Sequence, residues 1–205
     1  MKLYALPGAC SLADHIALHW SGLPFELKIV DRAEIKEPAF LALNPAGSVP
    51  VLEDDGWALT QNTAILHYIS DKAPQAGLDG GTDARSRAEV NRWLALVNSD
   101  LHPAFSPLFA ADKWFDDKAL INAIQTHARA RVQSLFSRLN AQLSQQDWLA
   151  GTPRPSIADA YAFVVLRWAR RLQIDLSGLD ALDRFEQRML ADPAVQAALK
   201  AEGLA

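Results

Sequence analysis

Met1-Lys2-Leu3-Tyr4-Ala5-Leu6-Pro7-Gly8-Ala9-Cys10-Ser11-Leu12 opens the chain, and this stretch decides how the rest is read. Lys2 to Leu6 is strand-like, and Pro7-Gly8 interrupts it. From Ser11 to Trp20 the residues Leu12, Ile16, Leu18 and His19 fall at helical spacing. A strand turning directly into a helix places Cys10, the only thiol among 205 residues, at the helix N-terminus. Gly8 permits a tight turn, and Ser11 is placed to bond the free N–H groups of the first helical turn. Those groups and the helix dipole favour an anion, so a thiolate at Cys10 is expected to titrate below the free-thiol range. The other reading of the same residue is a small buried hydrophobe that only packs. With no second cysteine there is no internal disulfide and no resolving thiol. Any redox step at Cys10 would pass through a mixed disulfide with a small thiol.

Outward from this segment the α/β pattern continues. Phe25 to Val30 alternates as a second strand, and Ala39 to Leu43 makes a short helical turn. Val49 to Glu53 and Trp57 to Leu59 are strands joined by Asp54-Asp55-Gly56, a hairpin signal because its turn needs positive φ. Thr60 is placed to cap a helix from Gln61 to Lys72, with Ile65, Leu66 and Ile69 as its apolar stripe. The order βαβ, helix, ββα predicts an α/β domain over residues 1–75, a small mixed sheet covered by helices. Pro74 to Thr82, with Gly77, Gly80 and Gly81, reads as a linker.

From 83 to 205 the spacing is helical throughout, which predicts an all-α second domain. A first helix from Ala84 to about Phe109 is disturbed by Pro103 and Pro107. Asp117 to Leu143 is long and amphipathic, and Ile157 to Leu172 is apolar enough to be central. Two short helices follow, from Asp180 and from Pro193.

Half the residues are hydrophobic, 21% are charged and the net charge is -4, which argues against nucleic acid or an anionic membrane as partner. No apolar run is long enough to span a bilayer and no targeting h-region opens the chain, which predicts a cytoplasmic location. His15, His19, His67 and His127 have no grouped spacing, so no metal site is expected.

Several motifs carry two readings each. In Ser48-Val49-Pro50-Val51 the proline cannot donate a ladder hydrogen bond. Either Val49–Pro50 is cis and turns the backbone towards an extended peptide ligand, or Pro50 is a trans edge-strand proline, the commoner bond. Thr60-Gln61-Asn62-Thr63 is a carboxylate cradle at a helix N-terminus or an ordinary cap. His102, before Pro103, is a catalytic group or a packing residue. Ser156-x-x-Asp159 reads as a reciprocal helix cap, and Trp168 as core or ligand platform.

Taken together, strand–Cys–helix, Asn44-Pro45-x-Gly47-x-Val49-Pro50-Val51-Leu52 and Thr60-Gln61-Asn62-x-Ala64-Ile65-Leu66 resemble the glutathione-binding half of a glutathione S-transferase. The opening segment with His15-Ile16 is similar to the bacterial beta class. Leu101-His102, Phe105-Ser106-Pro107-Leu108-Phe109, Ser156-Ile157-Ala158-Asp159-Ala160-Tyr161 and Trp168 extend the resemblance over nearly the whole chain. It implies a thioredoxin-like first domain and an all-helical second domain with a hydrophobic substrate cleft. It implies glutathione as substrate or tightly bound ligand, and no metal. By the same resemblance, Val49 backbone groups pair with the cysteinyl part of glutathione, which favours cis Pro50. Gln61 and Asn62 hold the γ-glutamyl end, Cys10 and His102 face the sulfur, and Phe105, Phe109, Trp114 and Trp168 line the cleft. The implied activity is conjugation of glutathione to small apolar electrophiles, alongside thiol–disulfide exchange or peroxide reduction. A non-catalytic ligand-binding protein and an isomerase or dehalogenase on the same fold are the alternatives. A homodimer is expected, with Arg85, Arg87 and Arg92 available to its interface. Two positions depart from the family: Asn62 stands where Ser or a small residue is more usual, and Ala95 where relatives can carry an Asn that reaches the partner subunit's ligand.

Overall fold

Strand β1 (Lys2–Ala5) lies inside the sheet because its alternate residues Leu3 and Ala5 are fully buried. The computed structural model describes residues 1–205. Helix α1 (Ser11–Ser21) carries the chain across to β2 (Glu26–Ile29), which therefore runs parallel to β1, with Leu3 opposite Leu27. After the short α2 (Pro38–Leu43), β3 (Val51–Asp54) pairs antiparallel with the other edge of β1, Leu3 opposite Leu52. β4 (Trp57–Thr60) returns from β3 through Asp55 and Gly56, whose φ values of 48° and 78° make the positive-φ turn read from the sequence. The sheet order is β2-β1-β3-β4, and α3 (Asn62–Lys72) packs beside α1.

The helical half begins with α4 (Ala84–Ala95). Its continuation widens to a π-helical turn over Leu96–Leu101, then α5 (His102–Ala104) and α6 (Ser106–Trp114) follow. The single helix expected over this span is therefore broken. Pro103 and Pro107 lack the N–H that would have continued the ladder and occupy first-turn positions of the new segments, where that loss costs nothing. α7 (Lys118–Leu143) is capped by Asp117, whose carboxylate accepts from the N–H groups of Ala119 at 2.8 Å and Leu120 at 3.2 Å. α8 (Ile157–Arg171) is central as expected, its residues from Ile157 to Leu166 all buried. The Ser156–Asp159 cap is reciprocal, and Asp159 also accepts from Leu149 N–H at 2.9 Å. α9 (Asp180–Ala191) and α10 (Pro193–Ala201) complete the helices.

One cluster of 46 buried apolar residues runs through both halves, with α1 packed against α3 on one side and α8 and α10 on the other. The stretch expected as a linker is pinned into it. Leu78 is 3% exposed, and its carbonyl accepts from Ile157 N–H at 2.9 Å. No helix is long and apolar enough to cross a membrane.

Two local expectations are corrected. Thr60 ends β4, and Gln61, at φ 74°, takes the cap position of α3 without a side-chain bond. Ser11 is the first residue of α1, and its Oγ accepts from Leu6 N–H at 3.3 Å; it ties the turn to the strand end instead of capping the helix.

Candidate active site

The turn that presents Cys10 is held from the helical half. Gly8, at φ 72°, donates its N–H to Glu202 Oε2 at 2.9 Å, and its carbonyl accepts from Trp168 Nε1–H at 2.7 Å. The other oxygen of Glu202 lies 3.0 Å from Nδ1 of buried His15. Across from this turn, the loop before β3 is braced by Asn44, whose amide donates to Ser48 O at 2.7 Å and Ser48 Oγ at 3.3 Å. Gly47 lies against α2 and the turn before it at φ 57°; a Cβ there would meet Ile35 O at 2.9 Å and Lys36 Nζ at 2.8 Å. So supported, Val49 and Pro50 are joined by a cis peptide bond. The Cys10 thiol donates to the Val49 carbonyl at 3.7 Å, while the Val49 N–H makes no bond within the protein.

Cys10, Val49, Pro50, Gln61, Asn62 and His102, named separately from the sequence, line one cavity of about 330 Å³. Tyr161 and Asn98 line it too. Neither was singled out from the sequence. Tyr161 had been absorbed into the cap motif, and Asn98 falls in the π turn, where helical counting fails by one residue. Ala95, three residues earlier, is exposed on α4.

The electrostatics overturn the expectation of an acidic thiol. Burial, with the nearby Asp14 adding to it, pushes the Cys10 thiol up to about 12, and the N–H groups of Cys10 and Ser11 offset only part of this. Burial pushes His102 down, so its imidazole is neutral at pH 7, and pushes the Tyr161 hydroxyl up. His102 Nδ1 and the Tyr161 hydroxyl are hydrogen-bonded. With the phenol protonated and the imidazole neutral, the hydroxyl donates to Nδ1 and the ring hydrogen resides on Nε2.

Asn62 behaves differently from the role carried over to it. It is 5% exposed, and its amide, oriented to satisfy its neighbours, donates to Cys10 O at 3.1 Å and Asp14 Oδ2 at 2.7 Å. Both side-chain donors are therefore spent inside the protein. Gln61 has an exposed side chain without protein bonds, and the first turn of α3 adds free backbone N–H groups beside it.

The aromatic residues divide into a wall, its backing and an outlier. Phe109, 48% exposed, meets half-buried Trp168 with ring centroids 5.6 Å apart, and Trp168 lies 4.7 Å from His102. Phe105 is fully buried behind them, stacked on Phe109 at 5.9 Å and edge-on to Phe136 at 6.5 Å, so it supports the wall and does not line a cleft. Trp114 is 54% exposed at the last position of α6 and has no ring contact with this group.

A thioredoxin-like sheet domain carrying its cysteine on the first helix, facing a cis-proline loop and backed by helices, is the architecture of glutathione S-transferases. The N-terminal domain of that family matches residues 9–72 and its C-terminal domain residues 103–193. The chain belongs to the glutathione S-transferase family, and its likeness is to the bacterial beta class. It is 59% identical to glutathione S-transferase GST-4.5 of Xanthomonas campestris pv. campestris over 204 residues, 100% of each chain. A sphingomonad glutathione S-transferase solved in complex with glutathione superposes with TM-score 0.87 at 41% identity, covering 100% of both chains. The beta-class enzyme of Sphingomonas chungbukensis gives 0.88 at 38%, again with 100% coverage of each.

Proposed function

We propose that this chain is a glutathione transferase whose substrate tripeptide lies in the cavity between Cys10, Val49, Gln61 and His102. The observation that supports this best is the convergence on one cavity of a free peptide N–H at Val49, an α3 N-terminus and two neutral donors. Gln61 and the first-turn N–H groups of α3 hold the γ-glutamyl carboxylate, and Val49 N–H pairs with the cysteinyl carbonyl. The sulfur then lies between the Cys10 thiol and His102 Nε2–H. Hydrogen bonds from these two groups stabilise the ionised sulfur. The glutathione thiolate attacks an apolar electrophile held on the Phe109–Trp168 wall. A carbon–sulfur bond forms, and the leaving group departs with its electron pair. Positioning the two reactants side by side supplies much of the gain in rate.

Calorimetric titration with reduced glutathione, followed by conjugation of a dinitrophenyl halide, tests the reading. Saturable binding with turnover is expected, and no heat at millimolar glutathione would rule it out. Incubation with oxidised glutathione and mass spectrometry separates conjugation from redox exchange. A thiol as protonated as Cys10 is expected to remain mostly unmodified at neutral pH. We further infer a cytoplasmic homodimer. Arg87 and Arg92 are occupied by Asp79 and Glu89 of the same chain, so these two do not define its interface. Light scattering checks the assembly.

A further inference from the structure

Beneath the cavity lies a carboxyl group that the proposed reaction does not use. Asp14, in the first turn of α1, is fully buried. Its Oδ2 accepts from the Asn62 amide at 2.7 Å, and its Oδ1 meets no donor at all. The titratable groups facing it are Cys10 on its own helix, Tyr161 from α8 and Glu202 after α10. None of them is cationic. His15, the next residue, is bound to Glu202, and α3 offers only the neutral Asn62. A carboxylate so placed has neither a counter-ion nor a full set of donors, and burial pushes Asp14 well above the ordinary carboxylate range, Glu202 adding to it.

Asn62 couples this group to the reactive turn. The nitrogen that grips Asp14 also donates to the Cys10 carbonyl at 3.1 Å, so a single amide pins the start of α1 to the start of α3. We propose that Asp14 is a positioning residue for Cys10: through Asn62 it fixes the Cys10 turn, and by its charge it restrains the sulfur from acting as a nucleophile. Cys10 then serves as a hydrogen-bond donor, a consequence that rests on the transferase reading above, whereas the restraint itself does not. Carboxyl and thiol are like-charged when ionised, and they ionise in order, the carboxyl first. A helix N-terminus ordinarily favours a thiolate, and Asp14 accounts in part for why this one does not.

Alkylation of Cys10 by iodoacetamide, followed from about pH 6 to about pH 11 without glutathione, tests this. The thiolate displaces iodide, so the rate follows the thiolate fraction. For the native protein the rate is expected to keep rising beyond the ordinary thiol midpoint of about 8.5. Asp14→Asn, which preserves shape and a hydrogen-bond acceptor, is expected to move the profile to lower pH and speed alkylation near pH 9 by on the order of tenfold. Coincident profiles for the two proteins would overturn the proposal. So would a native midpoint at or below about 8.5, a measurement that decides the matter even if the variant does not fold. Glutathione binding by the native protein is measured separately, and its failure would remove the transferase reading without altering the alkylation result.

Discussion

Glu202 reaches His15 across 187 positions of sequence, Oε1 to Nδ1 at 3.0 Å, with both side chains essentially out of solvent. Its second oxygen takes the Gly8 N–H, so one carboxylate fastens α1 and the Cys10 turn at once. Removing it leaves an imidazole and a backbone donor without partners in a dry site. Glu202→Ala is expected to cost about 3–5 kcal/mol in urea unfolding, and Glu202→Gln, which keeps an acceptor for Gly8, clearly less. Equal losses from the two variants would show that the carboxylate contributes only packing.

Trp168 reaches the same glycine from α8. Trp168→Phe keeps an aromatic ring against His102 and Phe109 but loses the bond to Gly8 O, for a cost of about 1 kcal/mol. Trp168→Ala also removes the wall, with a stability loss of about 3–5 kcal/mol. If the wall holds the electrophile, its KM rises strongly in the alanine variant while the KM for glutathione moves little. Parallel rises in both constants would place the defect in the Cys10 turn instead.

Much of this arrangement was legible in the chain, for identifiable reasons. Asp55-Gly56 announced its hairpin because few residues accept positive φ, and Ser156-x-x-Asp159 announced its cap because the bonds are local. The cis state of Pro50 was favoured only by the resemblance, since base rates pointed to trans. What escaped were polar residues paired over long distances. Asp14 and His15 occupy a helix whose apolar stripe was readable, yet they are buried because Asn62 and Glu202 arrive from α3 and from beyond α10. The Cys10 reading failed similarly. Position relative to the helix was correct, but the burial that outweighs the helix N-terminus comes from elements distant in sequence.

Asp14 makes the pH dependence of stability testable. Its folded-state carboxyl holds a proton above the ordinary carboxylate range, whereas the unfolded chain releases it near pH 3.8. As pH rises from there through the raised folded value, the folded state carries the extra proton, and stability falls. Asp14→Asn removes this loss. Urea midpoints for variant and native protein should agree near pH 4 and diverge upward, with the variant more stable at pH 8. A constant offset between them would mean that Asp14 does not titrate differently on folding.

His102 gives the opposite sign. Burial lowers its folded-state value below 6.5, so on acidification the unfolded chain takes up a proton that the folded site resists, and stability is lost as pH falls from 6.5 towards the lowered value. His19, also lowered by burial and by its neighbour His15, contributes in the same window, so His102→Gln should remove only part of the slope. In catalysis, the neutral ring depends on Tyr161 to keep its hydrogen on Nε2. Tyr161→Phe frees Nδ1 to carry the hydrogen and is expected to lower kcat by on the order of tenfold, about one hydrogen bond in the transition state, with the KM for glutathione nearly unchanged. An unchanged kcat would mean that His102 takes no part in stabilising the sulfur.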